Sequence, residues 1–128
     1  MAIQEARISL PPSYSAPAMS RRVLDALGDD IGRQVRDDAR LLLTELVTNS
    51  IRHAHLRVDD RISVRIRREI AGLLVEVTDP GSGFSVDSRQ TARTGGWGLL
   101  LLDQLSQDWG VENHPGRGAT VWFRLGRT

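Results

Sequence analysis

The hydrophobic period of this chain changes from about 3.6 residues to 2 shortly before residue 62, and that switch limits the layers it can build. From Arg33 to His55, Val35, Ala39, Leu42, Leu43, Leu46, Val47 and Ala54, with Ser50 among them, fall on one broad arc at about 100° per residue. This predicts a long helix with one core-facing stripe. From Arg61 onward, Ile62, Val64 and Ile66 alternate with Ser63, Arg65 and Arg67, and "EIAG" then turns the chain into "LLVEVTD". That is a hairpin with one apolar face and one solvated face. An antiparallel sheet with one wet side takes its helices on the other, as a two-layer sandwich.

The flanking segments extend the same plan. "ARISLP" reads as a first strand stopped by Pro11 and Pro12. "SAPAMSRRVLDAL" reads as a helix with Pro17 in its first turn and Met19, Val23, Leu24 and Leu27 on one side, and "GDD" interrupts it. A further helix is expected around Gly98 to Gln107, followed by closing strands "WGVEN" and "GATVWFRL" joined at "HPGRG". The predicted class is α/β in the α+β sense, a mixed and mostly antiparallel sheet with helices on one face. With 128 residues the expectation is a single domain over 1–128.

Composition removes several function classes. The absence of cysteine excludes disulfides, thiolate nucleophiles and sulfur-ligated metals. A net charge of +1, from 17 basic and 16 acidic residues, provides no electrostatic footprint for nucleic acid or an anionic membrane. The beginning "MAIQEARISLPP" lacks a signal-peptide core, and the leucine run Leu99 to Leu102 is too short to span a bilayer. A cytoplasmic protein with a protein or small-molecule partner is expected.

Three stretches could carry chemistry. In "ELVTNSIRHA", Glu45 and Asn49 stand one turn apart and are expected to flank or oppose the leucine arc, pointing out of the core, with Asp38, Leu41 and Arg52 nearby. The plain alternative is a solvated helix face. In "LLVEVTD", Leu73, Val75 and Val77 share a phase that Asp79 continues, so a carboxylate is aimed at the buried side and needs a donor from the protein or from a ligand. The following "PGSGF" reads equally well as a tight turn or as a place of close backbone approach. In "TGGWGLLLL", Gly95, Gly96 and Gly98 precede an apolar helix, where bare backbone N–H groups suit phosphate, although neither "GxxxxGK[ST]" nor "GxGxxG" is present.

Other features read as structural. His53 and His55, two positions apart on a helix, diverge and make a poor metal pair. Arg65, Arg67 and Arg68 read as a solvated outer strand face, and Trp97, Trp109 and Trp122 as packing residues, with Trp97 near a lid as the alternative for that one.

Taken in order, these motifs resemble the GHKL ATPase superfamily, which includes gyrase, the histidine kinases and the Bergerat-fold chaperones. Within it the chain is most similar to the anti-sigma-factor serine/threonine kinases and their short bacterial relatives. "ELVTNSIRHA" looks like the N box, "DPGSGF" like the G1 box, "TGGWGLLLL" like the G2 box and "GRGATVWFRL" like the closing glycine-threonine motif. The resemblance spans nearly the whole chain and implies the Bergerat fold, with ATP and Mg2+ as cofactors. It implies that Asn49 helps hold Mg2+ against the phosphates and that Glu45 is the catalytic base. It implies that Asp79 accepts the adenine amino hydrogen, that Gly81 and Gly83 make room for the purine, and that Thr120 supports the adenine end. Thr94, Gly95, Gly96, Trp97, Gly98 and Leu99 belong to the phosphate-side segment, and His53 to the N-box helix end near the nucleotide. Two departures stand out: Thr94 occupies a position where the anti-sigma kinases often carry arginine, with Arg93 just before it, and the lid from Phe84 to Arg93 is short.

The partners implied are a sigma factor or an antagonist protein that receives phosphate, with no nucleic acid, no membrane, and pairing of two copies as in many relatives. The alternative is a non-catalytic, ATP-dependent module that sequesters its partner. The catalytic half of a histidine kinase is a weaker match, since no helix bearing a phosphoacceptor histidine precedes the domain within these residues.

Overall fold

Pro11 and Pro12 cannot donate to a ladder, and they end β1 (Glu5–Leu10). The computed structural model describes residues 4–28, 30–81 and 98–126, with the backbone alone for Gly98 and Leu99. Helix α1 (Ala16–Asp25) carries Pro17 in its first turn, where a missing N–H costs nothing, and buries Ala16, Ser20 and Leu24.

Helix α2 (Arg33–His53) ends two residues before the periodicity predicts. Ala54 is its C-cap and donates its N–H to Ser50 C=O, while His55 adopts φ 53, the left-handed conformation that stops a helix. Ala54 is nonetheless buried, so the apolar period outlasts the helical hydrogen bonding.

Strands β2 (Ile62–Glu69) and β3 (Gly72–Asp79) form the expected hairpin. Helix α3 (Gly98–Leu105), shorter than predicted, leads into β4 (Asp108–His114) and β5 (Gly118–Gly126). The sheet order is β1-β2-β3-β5-β4. Every pairing among the described residues is antiparallel, so the mixed sheet of the sequence reading resolves to an antiparallel one.

One face of this sheet is the floor of the core. Ile62, Val64 and Ile66 of β2, Leu73, Val75 and Val77 of β3, and Val121, Phe123 and Leu125 of β5 join Leu42, Leu43, Leu46 and Val47 of α2 in a single buried cluster. Each such aliphatic side chain contributes about 1.5–3 kcal/mol on leaving water. Helix α2 contacts both β3 and β5, with α1 and α3 packed against it.

The other face is polar and carries its own ion pairs. Arg65 bridges Glu5 at 2.9 Å and Glu76 at 2.8 Å, and Arg124 stands 5.4 Å from the centroid of the Trp122 ring. Arg68 departs from the sequence reading: it reaches back to Leu27 C=O at 3.0 Å and to both Asp30 oxygens, tying the α1–α2 connection to the end of β2.

These pairs give stability an acid limb. The guanidinium of Arg65, and secondarily that of Arg7, holds the Glu5 carboxyl below its ordinary 4.5, and Arg68 holds that of Asp30 below its ordinary 3.8. A carboxyl whose folded pKa is depressed contributes stability above its unfolded pKa and loses it as pH falls through the folded one. The urea midpoint should therefore hold steady from pH 7 to about 5 and decline below it. Glu5→Gln should shallow that decline, and 1 M salt should weaken the contribution of these exposed pairs. An acid limb identical in wild type and Glu5→Gln would contradict this account.

Candidate functional site

Asp79 ends β3 in phase with Leu73, Val75 and Val77, so its side chain rises from the helix-bearing face of the sheet, below the C-terminal half of α2. There the protein itself supplies two donors. Ser50 donates its Oγ hydrogen to Asp79 Oδ2 at 2.8 Å, and the Gly81 N–H donates to Oδ1 at 2.9 Å. A carboxylate has about four lone-pair sites, so the two bonds orient Asp79 and leave acceptor capacity on the group.

Two glycines hold the backbone around it. A Cβ on Gly81 would collide with Ala54 at the end of α2, lying 2.9 Å from its carbonyl carbon and closer still to its oxygen. The close approach of α2 by itself requires glycine at 81. Gly118, at φ 97, faces Asp79 from β5, and a Cβ there would overlap the Asp79 carbonyl oxygen and lie 2.6 Å from Pro80 Cα.

Asn49 precedes Ser50 on α2, and its position also corrects the sequence reading. It is 8% exposed and does not lie on a solvated face. Its Nδ2 is buried and has no hydrogen-bond partner among the described residues. Helix α2 is covered by α1, by the sheet and by α3, so the buried sector is wider than the leucine arc alone suggested. Leaving such an amide unsatisfied costs about 1–3 kcal/mol. A phosphate oxygen would satisfy it at Nδ2, and a cation would satisfy it at Oδ1 with the amide turned over. The residue therefore fits either part of a metal-bound phosphate, one in each orientation of the amide.

Glu45, one turn before Asn49, is half-buried, and His53, one turn after it, is exposed in the last turn of α2. The three residues form one stripe along the helix. Among the described residues no group of three or more His, Cys, Asp or Glu side chains could hold a metal ion.

Thr120 is not part of this cluster. Ala119 is the residue in register with Asp79, whereas Thr120 pairs with Thr78, and alternation puts both threonines on the helix-free face. There Thr120 Oγ1 lies 2.8 Å from Thr78 Oγ1 and 3.0 Å from His114 Nε2. The implied role of Thr120 at an adenine bound beside Asp79 is corrected accordingly: the β5 side chain on that side is the methyl of Ala119. Sequence reasoning also missed Ser50 as a site residue. Its signal was a hydroxyl inside the leucine arc, directly after Asn49.

Gly83, Thr94, Gly95, Gly96 and Trp97 lie outside the described residues, as does the segment from Phe84 to Arg93. Gly98 and Leu99 supply backbone at the start of α3, which packs against α2.

The family profile described as histidine kinase-like ATPase domain matches residues 13–125, from α1 through the last strand. The chain belongs to the histidine kinase-like ATPase domain family. This GHKL-type domain is similar to the "Serine-protein kinase RsbW" of Listeria monocytogenes serotype 4a, with 26% identity over 117 residues, 79% of this chain and 74% of the relative. RsbW of a serotype 4b strain matches equally. Among solved structures it is similar to the ATP binding domain of PrrB from Mycobacterium tuberculosis, with a TM-score of 0.53 and 26% identity over 73% of this chain and 70% of that one. The domain is thus a GHKL superfamily member near RsbW, with the five-stranded antiparallel sheet and one-sided helices of that fold. No helix among the described residues is long and apolar enough to cross a membrane.

Proposed function

We propose that this chain binds Mg-ATP and acts as an anti-sigma-factor-type serine/threonine kinase, transferring the terminal phosphoryl group to a hydroxyl on an antagonist protein in the cytoplasm. The observation that carries the reading is the buried Asn49 amide, one end of which has no partner among the described residues, one residue from the serine that orients Asp79. It is supported by membership of an ATPase family and by relatives whose name is that of a serine-protein kinase.

In this reading Asp79 accepts a hydrogen from the amino group of adenine, on the acceptor capacity that Ser50 and Gly81 leave unused. Asn49 holds the metal against the phosphates. When bound, Mg2+ neutralises the charge of the transferring group. Glu45, one turn away on the half-buried flank of the same stripe, accepts the proton of the attacking hydroxyl, a role that needs a carboxylate near the phosphates but outside the sealed core. The start of α3 at Gly98 and Leu99 offers backbone N–H groups to the phosphates, with the Thr94 to Trp97 segment leading into it.

The test is calorimetry with Mg-ATP, followed by transfer of labelled phosphate to candidate antagonist proteins. Wild type should bind ATP with a Kd in the micromolar to millimolar range. Glu45→Gln should bind within about twofold of wild type and transfer about 100-fold more slowly or worse. Equal transfer by both proteins would remove Glu45 as the base. ATP binding with no transfer to any antagonist would favour the sequestering module, and an acid-labile, alkali-stable product would indicate phosphohistidine instead of phosphoserine.

A further inference from the structure

The hydroxyl of Ser50 is directed unlike other described hydroxyls on the helices. Thr44 donates to Arg40 C=O at 2.7 Å, and Ser20 donates to Pro17 C=O at 2.6 Å, each within its own helix. That is the ordinary destination for a hydroxyl there. Ser50 sends its hydrogen across to the strand, to Asp79 Oδ2 at 2.8 Å, and it does so while only 7% exposed.

A hydroxyl has one hydrogen and two lone pairs. With that hydrogen given to Asp79, Ser50 Oγ offers a neighbour lone pairs only. The carboxylate has no hydrogen to offer, and the Gly81 N–H is directed to Oδ1. Ser50 and Asp79 together therefore present an edge that accepts hydrogen bonds and does not donate them.

We infer that Ser50 is a specificity-determining residue, which with Asp79 selects a nucleobase presenting an exocyclic amino group and rejects one with a carbonyl oxygen in its place; this rests on the nucleotide reading above. A carbonyl oxygen beside this edge would meet lone pairs. Ser50 could donate to it only by turning away from Asp79 and giving up a hydrogen bond to a charged acceptor. At 7% exposure, water has little access to replace that bond.

The discriminating pair of ligands is ATP and inosine triphosphate, which differ at the purine 6-position by amino against oxo and at N1 by a bare acceptor against N–H, so that the 6-oxo base can donate to this edge only by shifting from the position in which the 6-amino group meets Asp79. Affinities for the Mg2+ complexes are measured by calorimetry on wild type, Ser50→Ala and Ser50→Thr, with urea unfolding of each. Wild type should prefer ATP by about 100-fold. Ser50→Ala should cut that ratio by about tenfold, and Ser50→Thr, which keeps the hydroxyl, should restore most of it.

Loss of affinity by the same factor for both ligands in Ser50→Ala would overturn the inference, since a purely structural serine would act in that way. A wild type that binds both ligands alike would overturn it while leaving the nucleotide reading intact. A wild type that binds neither would overturn both. If the alanine variant does not fold, Ser50→Cys, of similar shape but a weak donor, carries the same expectation of a lowered ratio.

Discussion

Asp79→Asn is expected to weaken Mg-ATP binding about 100-fold while leaving the fold close to intact. The geometry separates the two effects. The Gly81 N–H is rigid and demands an acceptor, so the oxygen of the introduced amide must stay on it in place of Oδ1. The new amide nitrogen then takes the place of Oδ2. Ser50 can reverse its hydroxyl and accept from that nitrogen, so both internal bonds survive in neutral form. What disappears is the acceptor capacity that faces a ligand, because a donor now stands where a lone pair stood. An adenine amino group would meet another donor where the carboxylate had offered it a lone pair. Loss of a bond to a charged acceptor, with a donor left opposed, costs about 3 kcal/mol, or roughly 100-fold in Kd. Calorimetry and urea unfolding on the same preparation check both halves. Equal affinity in the two proteins would remove Asp79 from nucleobase recognition, and a collapsed urea midpoint would make it a structural residue first.

Gly118→Ala carries the largest expected cost in stability, about 3–5 kcal/mol. Two penalties coincide at this position. Its φ of 97 lies where a side chain is strained, and the added Cβ would overlap the Asp79 carbonyl oxygen and stand 2.6 Å from Pro80 Cα. Both neighbours are backbone, so no side chain can rotate away. Relief requires β5 to move off β3 at the Asp79↔Ala119 pair, which also displaces the carboxylate. Gly116 in the same β4–β5 turn is the control. Its φ is 74, but a Cβ there has nothing within 4 Å, so Gly116→Ala should cost only the conformational part, about 1–2 kcal/mol. Urea midpoints for the two variants measure the difference. Equal costs would mean that close approach at 118 contributes nothing.

Most of the architecture was legible because it depends on repeats along a contiguous stretch. The alternation of Ile62, Val64 and Ile66 and the arc from Ala39 to Val47 each choose a face without reference to the rest of the chain. The inward aim of Asp79 follows from the same alternation. The end of α2 was less legible, because burial of Ala54 continues the apolar pattern past the left-handed His55.

The site was legible only in part. Glu45, Asn49 and His53 do lie on one stripe, but how deeply each is covered is set by α1, α3 and the sheet together, and Asn49 proved buried. Thr120 was assigned by its place in a motif, and a one-residue step on a strand reverses the face, so register sends it away from Asp79.

The amino-acid order alone determined the layers, the helix and strand faces, and the inward carboxylate, since each follows from the angle between successive side chains. The tertiary structure alone decided that Ser50 meets Asp79 across 29 residues of chain, that Ala54 requires a glycine at 81, and that Ala119 stands opposite Asp79. Those contacts depend on how α2 lies over a sheet ordered β1-β2-β3-β5-β4, and a local period carries no information about which distant face it will meet.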